Sequence, residues 1–116
     1  KLKDGLLSVK DIKNPQLFFL YTFMIWFLYL ASTYIGFMML KETSVLNFSA
    51  SILTLVAGSF GMIAPIQGGI GAFHFMVSKC LILLGISGTA ALVFATILHA
   101  SQTVTVIILG FIALIP

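Results

Sequence analysis

The chain consists of long apolar segments separated by short polar or glycine-rich interruptions. Apolar residues dominate the segments at about 17–40, 45–64, 70–86 and 89–115. Runs of this length favour helices, and the first is long enough to cross a hydrocarbon core about 30 Å thick with some tilt. No alternating apolar and polar pattern of the kind found in barrel strands is present. The pattern therefore predicts an all-α integral membrane protein built as a helical bundle.

The stretch between the second and third segments interrupts this pattern. It places Pro65 a few residues before Gly68, Gly69 and Gly71. Proline lacks an amide hydrogen and clashes with the preceding helical turn, and glycine loses more conformational freedom in a helix than any other residue. We therefore expect the middle segments to form a Gly/Pro-broken or re-entrant helix pair. A tight turn between two spans at the membrane surface is the alternative.

The composition changes the picture by excluding a soluble domain. Hydrophobic residues make up 60% of the 116 and charged residues only 8%. A soluble domain this small needs a polar surface. The net charge of +3 comes from lysines, most of them in residues 1–16, where two aspartates interrupt the basic pattern. Such a segment favours a cytoplasmic flank of a membrane span over a nucleic-acid partner.

These features predict the organisation of the chain. Residues 1–16 are expected to form a cytoplasmic juxtamembrane segment, and residues 17–116 a transmembrane helical region in the inner (cell) membrane. The sequence starts at Lys1 without a methionine and stops at Pro116 after an apolar run. We therefore expect it to be the C-terminal part of a longer, multi-pass protein with further spans before it.

The second segment carries a stripe of small residues. Ser51, Thr54, Gly58 and Gly61 fall within about 80° of one another on a helix. Small residues let another helix backbone approach closely, so the stripe favours helix packing over ligand contact.

The break also offers a candidate anion site. A helix that begins after it leaves its first amide hydrogens, near Gly71, without intrahelical partners, and the helix dipole adds positive charge there. Such helix starts bind phosphate or carboxylate groups, and broken helices in transporters use them in this way. In the alternative interpretation, Gln67 and nearby side chains only cap the helix.

Polar side chains of the last two segments could face the same interior. His74 and Ser78 share one face of the third segment, and His99, Gln102 and Thr103 share one face of the fourth. Each presents polar groups that hydrocarbon does not satisfy, so we expect all of them to face protein or water. For each histidine, a hydrogen bond to a neighbouring helix is the alternative to a role in binding.

Lys79 is the only charged residue within a predicted span between residues 45 and 115. Intramembrane charges are functional candidates by default, but a lysine can also extend its stem towards water. Cys80 is the single cysteine, without a base or orienting group of the kind that covalent catalysis needs. Two histidines without a nearby carboxylate do not indicate a metal site. We therefore predict no catalytic residue, no metal, no cofactor and no enzyme activity.

The predicted substrate-binding residues lie in the break and on the polar faces that follow it. They are Pro65, Gln67, Gly68, Gly69, Gly71, His74, Ser78, Lys79, His99 and Gln102.

Four elements of the sequence together suggest a family. They are Gly58-Ser-Phe-Gly61, the Pro65–His74 element with its Pro-x-x-Gly-Gly-x-Gly pattern, Leu98-His-Ala-Ser-Gln102 and Gly110. Together these elements resemble the lysylphosphatidylglycerol synthase transmembrane-region family. The resemblance covers almost the whole chain, and many members are uncharacterised multi-pass membrane proteins. The glycine-rich element is short, but its position between two apolar segments makes the match fairly specific.

The resemblance implies a role with anionic lipids. In the best-understood relatives the membrane domain moves aminoacylated phosphatidylglycerol between leaflets, and a separate soluble domain attaches the amino acid. Nothing here resembles that soluble domain, so the aminoacyl transfer is not expected. Many relatives carry a glutamate, in a Gly-x-Gly-x-x-Glu element, where this chain has His74, and this replacement changes the local charge.

The sequence thus predicts a flippase-like membrane domain that binds or translocates an anionic phospholipid or a lipid-linked substrate. A transporter of another small solute and a non-transporting structural subunit are the alternatives. Expected partners are membrane lipids and the missing N-terminal spans of the same protein, and a second copy of the chain is a further candidate.

Overall fold

The computed structural model of the protein describes residues 12–115, which form four α-helices and two short 3-10 turns. The helices are α1 (Pro15–Gly36), α2 (Phe48–Ile63), α3 (Ala72–Leu83) and α4 (Gly88–Ala113), and the 3-10 turns are Phe37–Met39 and Gln67–Gly69. The described residues contain no strand, which confirms the predicted all-α class. Most of the predicted juxtamembrane segment, residues 1–11, lies outside the described residues.

Local sequence signals set the starts of three helices. α1 begins at Pro15, a residue whose missing amide hydrogen and fixed φ suit the first helical position. The side chain of Asn47 accepts a hydrogen bond from the Ala50 amide at 3.0 Å at the start of α2. The Ser87 hydroxyl accepts one from the Ala90 amide at 3.3 Å at the start of α4. Each cap satisfies an amide that has no partner within its own helix.

Two of the helical segments are long and apolar enough to cross a membrane. They are Pro15–Met39, which combines α1 with its 3-10 turn, and Gly88–Ala113. At 1.5 Å per residue, α2 and α3 extend only about 24 Å and about 18 Å, which is less than a hydrocarbon core of about 30 Å. Neither middle helix is therefore long enough to cross such a core alone, and the two are separated by the Gly/Pro break that the sequence predicts.

The small-residue stripe of α2 is the surface on which the pair closes. Ser51, Thr54, Gly58 and Gly61 are all buried, as the stripe predicts. A Cβ atom on Gly61 would lie 2.6 Å from the Cα atom of Phe73, and one on Gly58 would lie 2.7 Å from the Phe73 ring. Only glycine permits this approach of α2 to the first turn of α3.

The apolar core lies between α2, α3 and α4, towards the end of the bundle where the two connecting turns meet. Leu81, Ala91 and Ala95 are completely buried, and the alanines let α3 and α4 pack closely. The Phe37 and Phe94 rings pack at 5.2 Å between centroids with an interplanar angle of 39°, and they attach the end of α1 to α4. Away from this end, the first half of α1 and the second half of α4 expose their apolar side chains.

Replacing Gly61 by alanine tests the close contact between α2 and α3. We expect Gly61→Ala to lower the free energy of unfolding by about 1–3 kcal/mol, because the new methyl group overlaps the Phe73 backbone. Gly110→Ala is the matched control, since nothing lies within 4 Å of its Cβ position. There the better helix propensity of alanine should leave stability unchanged or raise it by up to about 1 kcal/mol. Denaturant titration of the purified protein in detergent measures both, and equal effects would contradict the contact.

Candidate functional site

The break between α2 and α3 is a loop whose shape depends on its glycines. α2 ends where Ala64 leaves the helical region with ψ of 137°, immediately before the proline. Gly68 and Gly69 have φ of 66°, and Gly71 has φ of 89°. These left-handed conformations are strained for residues with a side chain, so the Gly-Gly-x-Gly pattern follows from the geometry of the loop.

The break lies about halfway along the longest helix. The imidazole rings of His74, at the start of α3, and His99, on α4, are 5.0 Å apart between centroids. His99 lies about 17 Å along α4, which is about 39 Å long at 1.5 Å per residue. If α4 spans the bilayer, the break is therefore near the bilayer centre, where irregular backbone occurs only inside protein or beside a water-filled cavity.

A groove of about 630 Å³ runs beside the break between α1, α2 and α4. Its lining is mainly apolar and includes Trp26 and Ile107, while His99 and Gln102 contribute polar groups from α4. Gly68 and Phe73 also line it and connect it to the break. The groove is therefore mainly apolar, with polar groups where it passes His99 and Gln102.

His74 makes a specific contact with the backbone of the break. Its Nδ1 atom accepts a hydrogen bond from the Gly71 amide at 3.3 Å. A side chain at the third helical position that reaches back in this way is half of a capping box, a position where glutamate or glutamine is usual. The sequence predicts free amides near Gly71. The Gly71 amide instead donates to His74, so His74 and not Gln67 caps the helix.

The amides of the next residues differ in their surroundings. Within residues 12–115 the Ala72 amide has no acceptor, and Gly71 has no atom within 4 Å of its Cβ position. The Phe73 amide is covered by the close approach of Gly61. The backbone of the break is thus open at Gly71 and Ala72 and closed one residue later.

Two further predicted residues lie along the same faces. Ser78 is one turn after His74 and is buried, and its hydroxyl has no hydrogen-bond partner among the described residues. Gln102 is half-buried on the wall of the groove, three residues after His99. Thr103 lines the groove but is exposed, and its hydroxyl donates to the His99 carbonyl oxygen at 2.8 Å.

Of the predicted substrate-binding residues, only Gly68, His99 and Gln102 line the groove, and Gly71, His74 and Ser78 are not among its lining residues. Pro65 and Gln67 are exposed on the loop, and Gly69 is buried against Met62. Lys79 is exposed, and its Nζ atom lies 5.6 Å from the centre of the Phe75 ring, away from the face that His74 and Ser78 share. This position suits a lysine that extends towards water.

Phe73 is the central residue that the sequence did not indicate. Its ring packs against Gly58 and lies 4.8 Å from the His99 ring between centroids, so it joins three helices at the break. The small residues of α2 predicted a close partner but not which residue it would be. Tyr29 and Thr33 also line the groove from α1 without having been singled out. Within the described range, no third His, Cys, Asp or Glu joins the two histidines as a potential metal ligand.

Comparison with known proteins supports the resemblance seen in the sequence. The family model described as the lysylphosphatidylglycerol synthase TM region matches residues 1–110. The chain belongs to this family. A search of the curated proteins found no match, and neither did a search of the solved structures. As a member of the lysylphosphatidylglycerol synthase transmembrane-region family, the chain is a membrane domain related to lipid handling.

Substitutions at His74 separate its capping role from other roles. His74→Ala should lower the free energy of unfolding by about 1 kcal/mol, because the Gly71 amide loses its acceptor. His74→Gln should recover most of this loss, since a glutamine at the same position can reach back to the same amide. Unfolding titrations of both variants in detergent provide the measurement. If glutamine is as destabilising as alanine, the imidazole does not act as the cap.

Proposed function

We propose that the protein binds an anionic phospholipid, or a lipid-linked anion, at the break and allows its headgroup to pass the centre of the membrane. This proposal rests on the backbone break between α2 and α3. The break lies beside the middle of α4 and opens to the groove at Gly68. Membership in a family named for lysylphosphatidylglycerol synthase supports a lipid over other solutes. The proposed role is binding and movement, without a covalent step.

The start of α3 supplies the contacts that suit a phosphate. The α3 dipole is positive at the break, the Ala72 amide there has no acceptor within residues 12–115, and Gly71 has no side chain to exclude a ligand. His99 and Gln102 add hydrogen-bonding groups from the groove wall. Lys79, which points away from this face, has no part in the proposed site.

The groove supplies the contacts that suit acyl chains. Trp26 from the middle of α1 and Val106 and Ile107 from the second half of α4 line it with exposed apolar side chains. A lipid needs an apolar path for its chains beside a polar path for its headgroup. The groove and the adjoining break supply both.

The proposed orientation places the groove relative to the leaflets. Lysines before α1 favour a cytoplasmic N-terminus, so α1 would end, and the α2–α3 pair would begin, at the outer face. The pair then reaches the membrane centre from outside, and the free halves of α1 and α4 flank the inner leaflet. A headgroup at the break would thus lie between the two leaflets.

Two glycines with the same φ provide a paired test of this site. Gly71 at the break and Gly85 in the α3–α4 turn both have φ of 89°, and nothing lies within 4 Å of either Cβ position. Alanine at a positive φ introduces backbone strain, typically about 1–3 kcal/mol, at either position. We expect Gly71→Ala to slow the movement of lipid about tenfold or more, as loss of about 1.4 kcal/mol of binding implies, and Gly85→Ala to have little effect.

The measurement uses the protein reconstituted in vesicles that contain fluorescent phosphatidylglycerol, with fluorescent phosphatidylcholine in parallel vesicles. A membrane-impermeant quencher reports the fraction of label in the outer leaflet over time. Movement of both lipids alike would contradict the anion site, and equal loss in the two glycine variants would assign the effect to strain. Movement of neither lipid would favour the solute-transporter or structural alternatives.

A further inference from the structure

Within residues 12–115 three helices have a side-chain cap, and only one of these caps can bind a proton. Asn47 caps α2 and Ser87 caps α4 with side-chain oxygens that do not titrate. α3 is capped by the imidazole of His74, whose Nδ1 atom accepts from the Gly71 amide. Imidazole is the one group among these three caps to which a proton can be added, and adding it removes the acceptor.

Protonation and capping exclude each other at the same atom. A backbone amide only donates hydrogen bonds, so Nδ1 must hold its lone pair free to accept from Gly71. When a proton from the aqueous phase forms an N–H bond at Nδ1, that lone pair is used and the Gly71 hydrogen bond breaks. The Gly71 amide then has no acceptor, and the histidine carries a positive charge beside the break.

The surroundings of His74 contain few other groups that titrate. α2 has no titratable residue, and α4 presents only His99, whose ring centroid is 5.0 Å from that of His74. On α3 itself, Lys79 is exposed with its Nζ atom beside Phe75, and Cys80 is half-buried. Tyr29 lines the same groove as His99 from α1. Two positive charges on rings this close would repel each other strongly in an apolar setting.

We propose that the His74–His99 pair is a proton-binding site that controls the anion site at the break. Uptake of one proton at Nδ1 of His74 frees the Gly71 amide and places a positive charge next to it. Both changes favour a bound phosphate, so proton and anion bind cooperatively and each raises the affinity for the other. The part of this inference that concerns the anion rests on the proposed function, whereas the uncapping of Gly71 does not.

Hydrogen exchange of individual amides tests the uncapping directly. The protein is placed in nanodiscs of phosphatidylcholine, and the exchange rate of each amide is divided by its intrinsic rate at the same pH to give its protection. Between about pH 8 and about pH 5, protection at Gly71 should fall about fivefold, which corresponds to the loss of one helix cap. Ala90, capped by the Ser87 hydroxyl, is the internal control and should keep its protection. Constant protection at Gly71 would overturn the proposal.

Two variants identify the histidine that binds the proton. His74→Gln keeps an acceptor for the Gly71 amide but does not titrate, so protection should not change with pH. His99→Gln leaves His74 intact and should retain the change. If the pH-dependent change in protection is instead lost in His99→Gln and kept in His74→Gln, the proton binds at His99 and the mechanism is refuted.

Binding of lipid separates this inference from the proposed function. In nanodiscs that contain labelled phosphatidylglycerol, the parent should bind the lipid about fivefold more tightly at the lower pH, and His74→Gln should bind it equally at both. If Gly71 loses its protection with pH while phosphatidylglycerol binds at neither pH, the proton site stands and the proposed function fails. If phosphatidylglycerol binds with no dependence on pH, the proposed function stands and the coupling fails.

Discussion

The contact on which the other features depend is the approach of the Gly61 backbone to the first turn of α3. With no side chain at Gly61, α3 starts directly against α2, and the chain reverses within the eight residues between Ile63 and Ala72. That reversal places the Phe73 ring against Gly58 and brings His74 beside His99. A larger side chain at Gly61 would separate the two helices and move the break away from the groove. Helix packing and the candidate site therefore rest on the same few atoms.

Much of the fold could be predicted because its signals are local. Apolar run lengths indicated the helices, Pro65 and its glycines indicated the break, and the buried face of α2 followed from the spacing of small residues. α3 starts at Ala72, two residues after the position predicted from the sequence. The sequence did not indicate that Gly71 adopts a left-handed conformation, which extends the loop to that residue. The role of Phe73 and the cap at His74 depend on contacts between elements, which residue spacing along one segment does not specify.

His74 stands where the family resemblance implies a glutamate in many relatives, and its contact with the loop explains how either residue fits there. At the third position of a helix, both residues can accept a hydrogen bond from the amide that precedes the helix. The contact between His74 and Gly71 is therefore the same kind of contact that a glutamate would make, so the backbone of the break does not need to change. What differs is the charge: a carboxylate at this position is negative near neutral pH, whereas an imidazole is neutral or positive. An exchange between the two residues would keep the contact with the loop and change the charge beside it.

The depth of the break has an electrical consequence. A charge that crosses the whole membrane potential changes its free energy by about 2.3 kcal/mol per 100 mV, so a charge that stops halfway experiences about half of that. Because His74 and His99 lie near the middle of α4, any single ion that binds beside them works with or against the membrane voltage. A proton and a singly charged phosphate together carry no net charge. If both ions reach the break from the same side, occupancy by the pair is independent of voltage, whereas occupancy by either ion alone is not.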